Sequence, residues 1–324
     1  MKVSVVVTVF NEADNISALL DSLLKQSRKP NEIVVVDGGS TDATPLILNK
    51  YQDAHDHIRV ISEPSSIAGG RNISVREAKY PIIAQIDGGC TAHKHWLKRI
   101  VRPFKDNTVG LVAGFYKMET ESSFQKALAP FLGVPPRHFD PRVFLPSGRS
   151  VAFRKSVWEL VDGYAETLDR AGEDTIFNYK VLKAGIKIER VRDALVYWKV
   201  PSTYREALTK FYYYAKGDAQ SGIWWHPAQR LGTHNIKITG IFIRYILGFS
   251  LLFLSPLYPF LFYLLIVGFI FYTAWAMWKM NDVIDDFYAQ LIVPIIQISS
   301  DVAIMAAFLT SILSIRRLRR TWSV

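Results

Sequence analysis

Short apolar runs alternate with segments of helical periodicity along the first hundred residues. Residues 3–10 are nearly all apolar and rich in β-branched side chains, which predicts a buried central strand. Leucine and isoleucine recur at helical spacing over residues 16–24, which predicts a helix. Further apolar runs at 33–36, 59–61 and 80–86 predict three more strands. Strands that alternate with helices form parallel sheets, so we predict an α/β domain with a mostly parallel sheet.

The segments between these strands carry helix signals. Thr44 precedes Pro45, which predicts a helix capped by Thr44 with the proline at its first position. A second helix is predicted from about residue 66 to 78, and a third contains Trp96 and Leu97. Residues 120–146 show no clear periodicity, and we interpret them as an inserted acceptor loop.

Two of the predicted strands end in the same short motif. Asp37 and Asp87 are each followed by two glycines, which let the backbone approach a ligand closely. In open α/β sheets, ligands bind just outside the carboxyl ends of the strands. The two acids therefore predict one acidic pocket, which we interpret as a nucleoside-diphosphate and metal site. The alternative interpretation is that Asp37 is an ordinary aspartate in a turn.

No glycine-rich phosphate loop follows the first strand. Residues 8–12 contain no glycine, and the chain contains no Gly-Lys-Ser or Gly-Lys-Thr sequence. The dinucleotide-binding and phosphate-loop patterns are therefore absent. The sequence instead favours phosphates that are bound through a cation held by a carboxylate.

Five segments, in order, resemble the signatures of family 2 glycosyltransferases with the GT-A fold. They lie within about residues 1–220 and are residues 6–12, 33–42, 69–72, 86–90 and 172–175. The resemblance implies a Rossmann-like GT-A catalytic domain, which we place at residues 1–235. It also implies an inverting transferase that uses a nucleoside-diphosphate sugar, with uridine or guanosine as the expected nucleoside.

The resemblance also implies a nucleoside pocket. In it, Asp37 would accept a hydrogen bond from the ring N–H of a pyrimidine base. Thr8, Phe10 and Glu12 would line the same pocket, and Arg71 would lie near the base or the phosphates. Two alternatives remain: Phe10 belongs to the core, or Arg71 is a surface residue at a helix start.

Asp87 is the residue that we expect to bind Mg²⁺ or Mn²⁺. The family's usual pattern is Asp-x-Asp, with two carboxylates at the metal, whereas this chain has Gly89 in the third place. Magnesium keeps much of its hydration, so one carboxylate, phosphate oxygens and water are sufficient ligands. Either water or a later residue such as His226 would take the place of the second carboxylate; the alternative for His226 is an ordinary surface or interfacial residue.

Glu173 and Asp174 begin a predicted helix, where acids are ordinary complements to the helix dipole. The resemblance instead implies that Glu173 and Asp174 are catalytic. Asp174 would deprotonate an acceptor hydroxyl, or would support a phosphate acceptor that needs no base. Residues 147–155 resemble the segment where donor sugar and acceptor meet. Lys216, in a basic aromatic segment, is the candidate contact to the diphosphate.

Long apolar segments occupy the last third of the chain. Residues 256–278 and 288–312 are each long enough to span a membrane. We predict two spans, with residues 241–254 in the membrane interface; the alternative is that this segment is a third span. Asp301 is costly within a span, and pairing with Arg244 is one way to accommodate it.

The charge balance agrees with a membrane location. The chain has 39 Lys and Arg against 29 Asp and Glu, a formal charge of +10. Such an excess suits an anionic partner, and basic residues beside apolar spans favour lipid over nucleic acid. The basic run at residues 316–320 favours the cytoplasmic side. The single cysteine excludes an internal disulfide.

Together these observations predict an integral protein of the cell membrane with a cytoplasmic catalytic domain at residues 1–235 and a membrane region at 236–324. We expect a metal-dependent transferase that moves a sugar to a lipid-linked acceptor, either polyprenyl phosphate or a lipid-linked glycan. One alternative is a processive polysaccharide synthase, although the Gln-x-x-Arg-Trp motif of such enzymes is missing. Another, suggested by Gly89, is an inactive scaffold that binds sugar nucleotides.

Overall fold

A computed structural model describes residues 1–168, 170–224 and 234–312. Its sheet contains eight described strands, which follow the predicted apolar runs and add four more in the middle of the chain. The strands are β1 (Val3–Val9), β2 (Glu32–Asp37), β3 (Ile58–Ser62), β4 (Ile82–Asp87), β5 (Cys90–Ala92), β6 (Val109–Glu119), β7 (Val151–Arg154) and β8 (Lys187–Lys199).

Eleven described α-helices accompany the sheet. They are α1 (Ile16–Leu24), α2 (Thr44–Ala54), α3 (Ile67–Glu77), α4 (Trp96–Ile100), α5 (Ser123–Leu132), α6 (Lys155–Leu160), α7 (Glu173–Lys183), α8 (Tyr204–Ser221), α9 (His234–Leu254), α10 (Phe260–Met280) and α11 (Phe287–Ile312). The helical periodicity of the first one is explained by burial, since its isoleucine and leucine side chains at positions 16, 19, 20 and 23 are fully buried.

The strand order places the two strand-end acids on either side of the central strand. The order is β3-β2-β1-β4-β7-β6-β8-β5, and β1 pairs in parallel with both β2 and β4. In this register Asp37 lies opposite Val9, and Asp87 lies opposite Thr8. Beyond β4 the sheet becomes mixed, because β7 is antiparallel to both of its neighbours. The predicted α/β class with a mostly parallel sheet is confirmed.

One local prediction was wrong, and one segment contains more regular structure than its sequence pattern indicates. Thr44 does not cap α2; its Oγ1 accepts the backbone N–H of Glu12 instead, at 2.8 Å. The segment 120–146, which shows no clear periodicity, contains α5 and a short 3-10 helix at Pro136–His138. A capping box starts α5, in which Ser122 and Gln125 satisfy each other's backbone N–H groups.

The chain divides into two compact units that differ from the predicted boundary at residue 235. The first comprises residues 1–119 and 139–199 and contains the sheet. The second comprises 120–138 and 200–324. The difference arises because α5 and α8 both pack against α11, so they belong with the C-terminal helices.

Among the described residues of the second unit, three helices are long and apolar enough to cross a membrane: residues 235–254, 260–280 and 287–311. Within this unit, Asp301 of α11 is fully buried and pairs with Arg244 of α9 at 2.6 Å, which is the one partner that the sequence analysis considered for it. The hydroxyl of Tyr272 and the amide of Gln297 also donate to its carboxylate. The buried carboxylate therefore accepts hydrogen bonds from side chains of three helices. The basic run at 316–320 lies outside the described residues.

Candidate active site

The loop after β1 is tied to the loop after β2, which brings the two strand ends together. Asn11 adopts a left-handed conformation with φ of 54°, and its backbone N–H donates to Oγ of Ser40 at 2.8 Å. Its side-chain oxygen accepts the N–H of Thr41, also at 2.8 Å. The next residue, Glu12, is tied to Thr44 by its own N–H. These bonds fix the backbone on which the predicted nucleoside-binding residues lie.

The predicted nucleoside residues occupy this edge in different environments. Asp37 is only 2% exposed, and its Oδ1 accepts the N–H of Ser40 at 2.9 Å and the hydroxyl at 2.6 Å. These bonds are the ones expected of a turn aspartate, so a contact to a base remains a prediction. Thr8 is half-buried. Phe10 is 50% exposed, so the alternative that it belongs to the core is wrong.

Arg71 is the centre of the site. It is buried in α3, and its Nη2 donates to Oδ1 of Asp87 at 2.8 Å. Its Nη1 donates to Oε1 of Glu173, a residue 102 positions later in the chain. The guanidinium also lies 5.5 Å from the ring of Tyr164. This one arginine of α3 therefore joins the end of β4 to the start of α7, and the alternative of a surface arginine is wrong.

The charges in this cluster are strongly coupled. Burial by itself lowers the pKa of Arg71, but the carboxylates of Asp87 and Glu173 outweigh it, so the pKa lies above the usual range. Burial raises the pKa of Glu173 to about 7, although the positive charge of Arg71 opposes the shift. The negative charges of Asp174 and Asp87 act in the same direction as burial and also raise the pKa of Glu173. Burial also raises the pKa of Tyr164.

Glu173 and Asp174 are adjacent in the chain but differ in their surroundings. Both lie in the first turn of α7, after Gly172, which has a φ of 93°. Glu173 is buried against Arg71, whereas Asp174 is half-buried. Oδ1 of Asp174 accepts its neighbour's backbone N–H at 2.8 Å, and Oδ2 accepts that of Gly148 at 3.2 Å. Glu173 thus positions the arginine, while Asp174 is oriented by backbone and remains partly accessible.

Gly148 has a role that sequence reasoning missed. A Cβ at this position would lie 2.0 Å from Nη2 of Arg71 and 2.9 Å from Oδ1 of Asp87. Its carbonyl oxygen accepts from Gln85 at 3.4 Å, and Gln85 in turn accepts from the hydroxyl of Tyr164 at 3.0 Å. The only sequence signal was a glycine within the resembling segment 147–155. Its absent side chain allows the backbone to close over the ion pairs.

The site offers carboxylate oxygens to a cation. The Asp87 side chain is 36% exposed, so it is accessible despite its bond to Arg71. The Glu12 carboxylate lies beside Gly89, with its oxygens 3.6 and 3.7 Å from where a Cβ would be. Among the described residues, no three His, Cys, Asp or Glu side chains group as a metal site. The oxygen donors therefore suit Mg²⁺ or Mn²⁺ only if phosphate or water completes the ligand set.

Two further predicted residues cannot be added to this cluster. Lys216 lies half-buried in α8, which belongs to the second unit, so its contact with a diphosphate remains a prediction. His226, the other candidate for a metal ligand, lies outside the part of the chain that the structure describes.

A mostly parallel α/β sheet with acids at the carboxyl ends of its central strands is typical of nucleotide-binding proteins of the α/β class. The sequence profile described as Glycosyl transferase family group 2 matches residues 82–279, and that described as Glycosyl transferase family 2 matches residues 4–159. The chain belongs to the family 2 glycosyltransferases, as its five motifs predicted.

Similar proteins agree with this assignment. Glycosyltransferase AglE of Haloferax volcanii is 34% identical over 116 residues, covering 35% of this chain and 38% of that protein. The poly(ribitol-phosphate) beta-glucosyltransferase of Bacillus spizizenii is 28% identical over 209 residues, covering 62% of this chain and 32% of that protein. The chain thus spans about a third of the length of these two relatives.

The fold is shared with a solved structure, the mannosyltransferase PcManGT from Pyrobaculum calidifontis in complex with GDP-Man and Mn²⁺. The similarity covers 97% of this chain and 87% of that one, with a TM-score of 0.61 and 18% sequence identity. At this identity the likeness concerns the fold, and it confirms the predicted GT-A architecture with an α-helical C-terminal region.

Proposed function

We propose that this protein is a metal-dependent, inverting glycosyltransferase of the cell membrane. It moves one sugar from a nucleoside-diphosphate donor to a lipid-linked acceptor at the cytoplasmic face. Family membership supports glycosyl transfer, and the GDP-Man and Mn²⁺ bound by the Pyrobaculum structure support the donor class and the cation. The three long apolar helices support an acceptor that is itself held in the membrane.

The observation that carries the proposal is the group of acids around Arg71. Asp87 and Glu173 both accept from this one guanidinium, and Asp174 lies close enough to interact with it. A fixed, buried arginine holds the aspartate in one orientation, which is the preorganisation that a charged leaving group requires. A buried helix arginine that served only the fold would not need three acids around it.

A divalent cation held by Asp87 would supply electrostatic stabilisation of the diphosphate as it leaves the sugar. The protein's own residues orient the carboxylates of the site. Glu173 holds Arg71, and Arg71 fixes the direction of the Asp87 carboxylate. The backbone at Gly148 closes over both side chains and presents its N–H to Asp174. Lys216 is the proposed additional contact to the diphosphate.

Asp174 is the proposed general base. The acceptor oxygen forms a bond to the anomeric carbon while the bond from that carbon to the diphosphate oxygen breaks, so the configuration inverts. With a hydroxyl acceptor, the proton passes to the Asp174 carboxylate. With a phosphate acceptor, the attacking oxygen is already negative and no proton is transferred. The two acceptor types therefore predict different consequences of removing this carboxylate.

The test uses the full chain in lipid nanodiscs, with UDP- and GDP-sugars, Mn²⁺, and either polyprenyl phosphate or a lipid-linked glycan. Asp87→Asn should reduce transfer at least about 100-fold with any acceptor. Asp174→Asn should do so with a hydroxyl acceptor. Asp53→Asn is the matched control, since Asp53 is exposed near the end of α2, a helix that packs against β3.

Product analysis separates the alternatives. A single added sugar on a defined acceptor supports the proposal, whereas a ladder of products identifies a processive synthase. Full activity of Asp87→Asn would contradict the assignment of this acid. A wild-type protein that binds donor but neither transfers nor hydrolyses it in Mn²⁺ would identify the inactive scaffold.

A further inference from the structure

The structure suggests what replaces the second acid that position 89 lacks. Around Gly89, the nearest atoms to a Cβ are all from the Glu12 carboxylate: Oε1 at 3.6 Å, Oε2 at 3.7 Å and Cδ at 4.0 Å. An aspartate at this position would direct its own carboxylate into the same region. The Glu12 carboxylate therefore lies close to the position that the second acid of the family's Asp-x-Asp pattern would occupy.

Both glycines after Asp87 make room for this side chain. A Cβ at Gly88 would lie 3.2 Å from Cγ of Glu12 and 2.9 Å from Cγ1 of Val9, both closer than ordinary contact. The stem of Glu12 thus runs along Gly88 and its carboxylate reaches Gly89. The strand register brings the two segments together, because Thr8 of β1 lies opposite Asp87 of β4.

The Glu12 side chain is also oriented by its neighbours. The side-chain amide of Asn15 donates to Oε2 at 2.8 Å. The backbone N–H of Glu12 donates to Oγ1 of Thr44 at 2.8 Å, which anchors the loop. Carboxylates that bind metals are typically held in place by hydrogen bonds of this kind.

We propose that Glu12 supplies the second protein carboxylate for the divalent cation, together with Asp87. The inference rests on the proposed function, because it assumes a cation at the donor diphosphate. It moves Glu12 from the nucleoside pocket, where the family resemblance placed it, to the diphosphate side of the site. Two carboxylates, diphosphate oxygens and water form the all-oxygen ligand set that Mg²⁺ and Mn²⁺ prefer.

The experiment measures cation binding rather than catalysis. The full chain in detergent micelles is titrated with Mn²⁺ in the presence of GDP or UDP, and free Mn²⁺ is read by electron paramagnetic resonance. Glu12→Gln, which keeps the shape of the side chain, should raise the Kd for Mn²⁺ at least about tenfold. Asp53→Asn, the exposed control, should leave it unchanged.

A second pair of variants protects the test against a folding defect. Gly89→Asp in the Glu12→Gln background returns a carboxylate to the family position and should restore Mn²⁺ binding to within a few-fold of wild type. A Cβ fits at position 89, because the nearest atoms, those of the residue 12 side chain, lie 3.6 Å or more from it. Asn15→Ala removes only the orienting bond and should weaken Mn²⁺ binding by less than Glu12→Gln does.

The outcomes distinguish this inference from the proposed function. If Glu12→Gln binds Mn²⁺ like wild type while Asp87→Asn does not, the role of Glu12 is wrong and the proposed function stands. If Glu12→Gln weakens nucleotide binding equally in EDTA, Glu12 belongs to the nucleoside pocket and the inference is overturned. If wild-type protein binds the nucleotide no more tightly with Mn²⁺ than with EDTA, metal dependence itself fails, and the inference fails with it.

Discussion

Arg71 and Asp87 form an ion pair of 2.8 Å in which the arginine is 6% exposed and the aspartate 36% exposed. The pair therefore extends from the protein interior to an accessible carboxylate. On its buried side, the same guanidinium pairs with Glu173, which is 7% exposed. This asymmetry means that Arg71 and Glu173 determine the stability of the site, whereas Asp87 is placed to meet a ligand.

Arg71→Met should destabilise the protein strongly. It leaves the Glu173 carboxylate buried without its partner, which typically costs about 3–5 kcal/mol of unfolding free energy. The double variant Arg71→Met/Glu173→Gln should recover part of this loss, because the buried charge is then removed as well. The melting temperatures of wild type, Arg71→Met, Glu173→Gln and the double variant, measured in one detergent, give a double-mutant cycle. Equal melting temperatures for Arg71→Met and the double variant would contradict the pairing.

Gly148→Ala should disturb the site more than any ordinary glycine substitution. The added methyl group would lie 2.0 Å from Nη2 of Arg71, so the ion pair or the loop must move. We expect a large loss of transfer activity and a lower melting temperature. Gly268→Ala in α10 is the control, since no neighbouring atom lies within 4 Å of a Cβ there. Similar effects of the two substitutions would refute the close approach.

Stability should depend on pH through Glu173. Its pKa is raised from 4.5 to about 7 in the folded protein, so the native state binds this proton more tightly than the unfolded chain. The contribution to stability is complete below pH 4.5 and is lost as pH rises through about 7. A shift of this size corresponds to at most about 3 kcal/mol.

Glu173→Gln isolates this effect. Without divalent cations, its melting temperature relative to wild type should increase between pH 5 and 8, because only wild type loses the contribution. Asp53→Asn, measured in parallel, should give a difference that does not change with pH. A flat difference for Glu173→Gln as well would show that the carboxylate stays ionised throughout this range.

Removing the buried acid of the apolar helices should weaken their packing. Asp301 accepts from Arg244 at 2.6 Å and from Gln297 at 3.0 Å, and also from Tyr272. Asp301→Leu leaves the arginine without its partner, so we expect a clear loss of thermal stability in detergent. Arg244→Met/Asp301→Leu should restore part of it. Donor binding should persist in both variants, which distinguishes a structural role from a catalytic one.

Several parts of the site were predictable because they depend on local pattern. Asp87 was predicted from its place at the end of an apolar strand, and Asp174 from its place at a helix start, in both cases together with the family motifs. The cost of a lone charge among apolar residues predicted that Asp301 needs a partner, and Arg244 was one candidate for it. The prediction that Thr44 caps a helix was wrong because its hydroxyl accepts the backbone N–H of Glu12. That contact comes from the loop after another strand, and no local rule predicts it.

The amino-acid sequence by itself determined the alternation of strands and helices, the acids at two strand ends and the long apolar helices. Each of these is set by the periodic burial of neighbouring residues. Only the tertiary structure decided that Arg71 reaches Glu173 across 102 residues and that Glu12 lies beside Gly89. Such contacts depend on strand order and loop closure, so they arise when the sheet assembles and leave no local period in the chain.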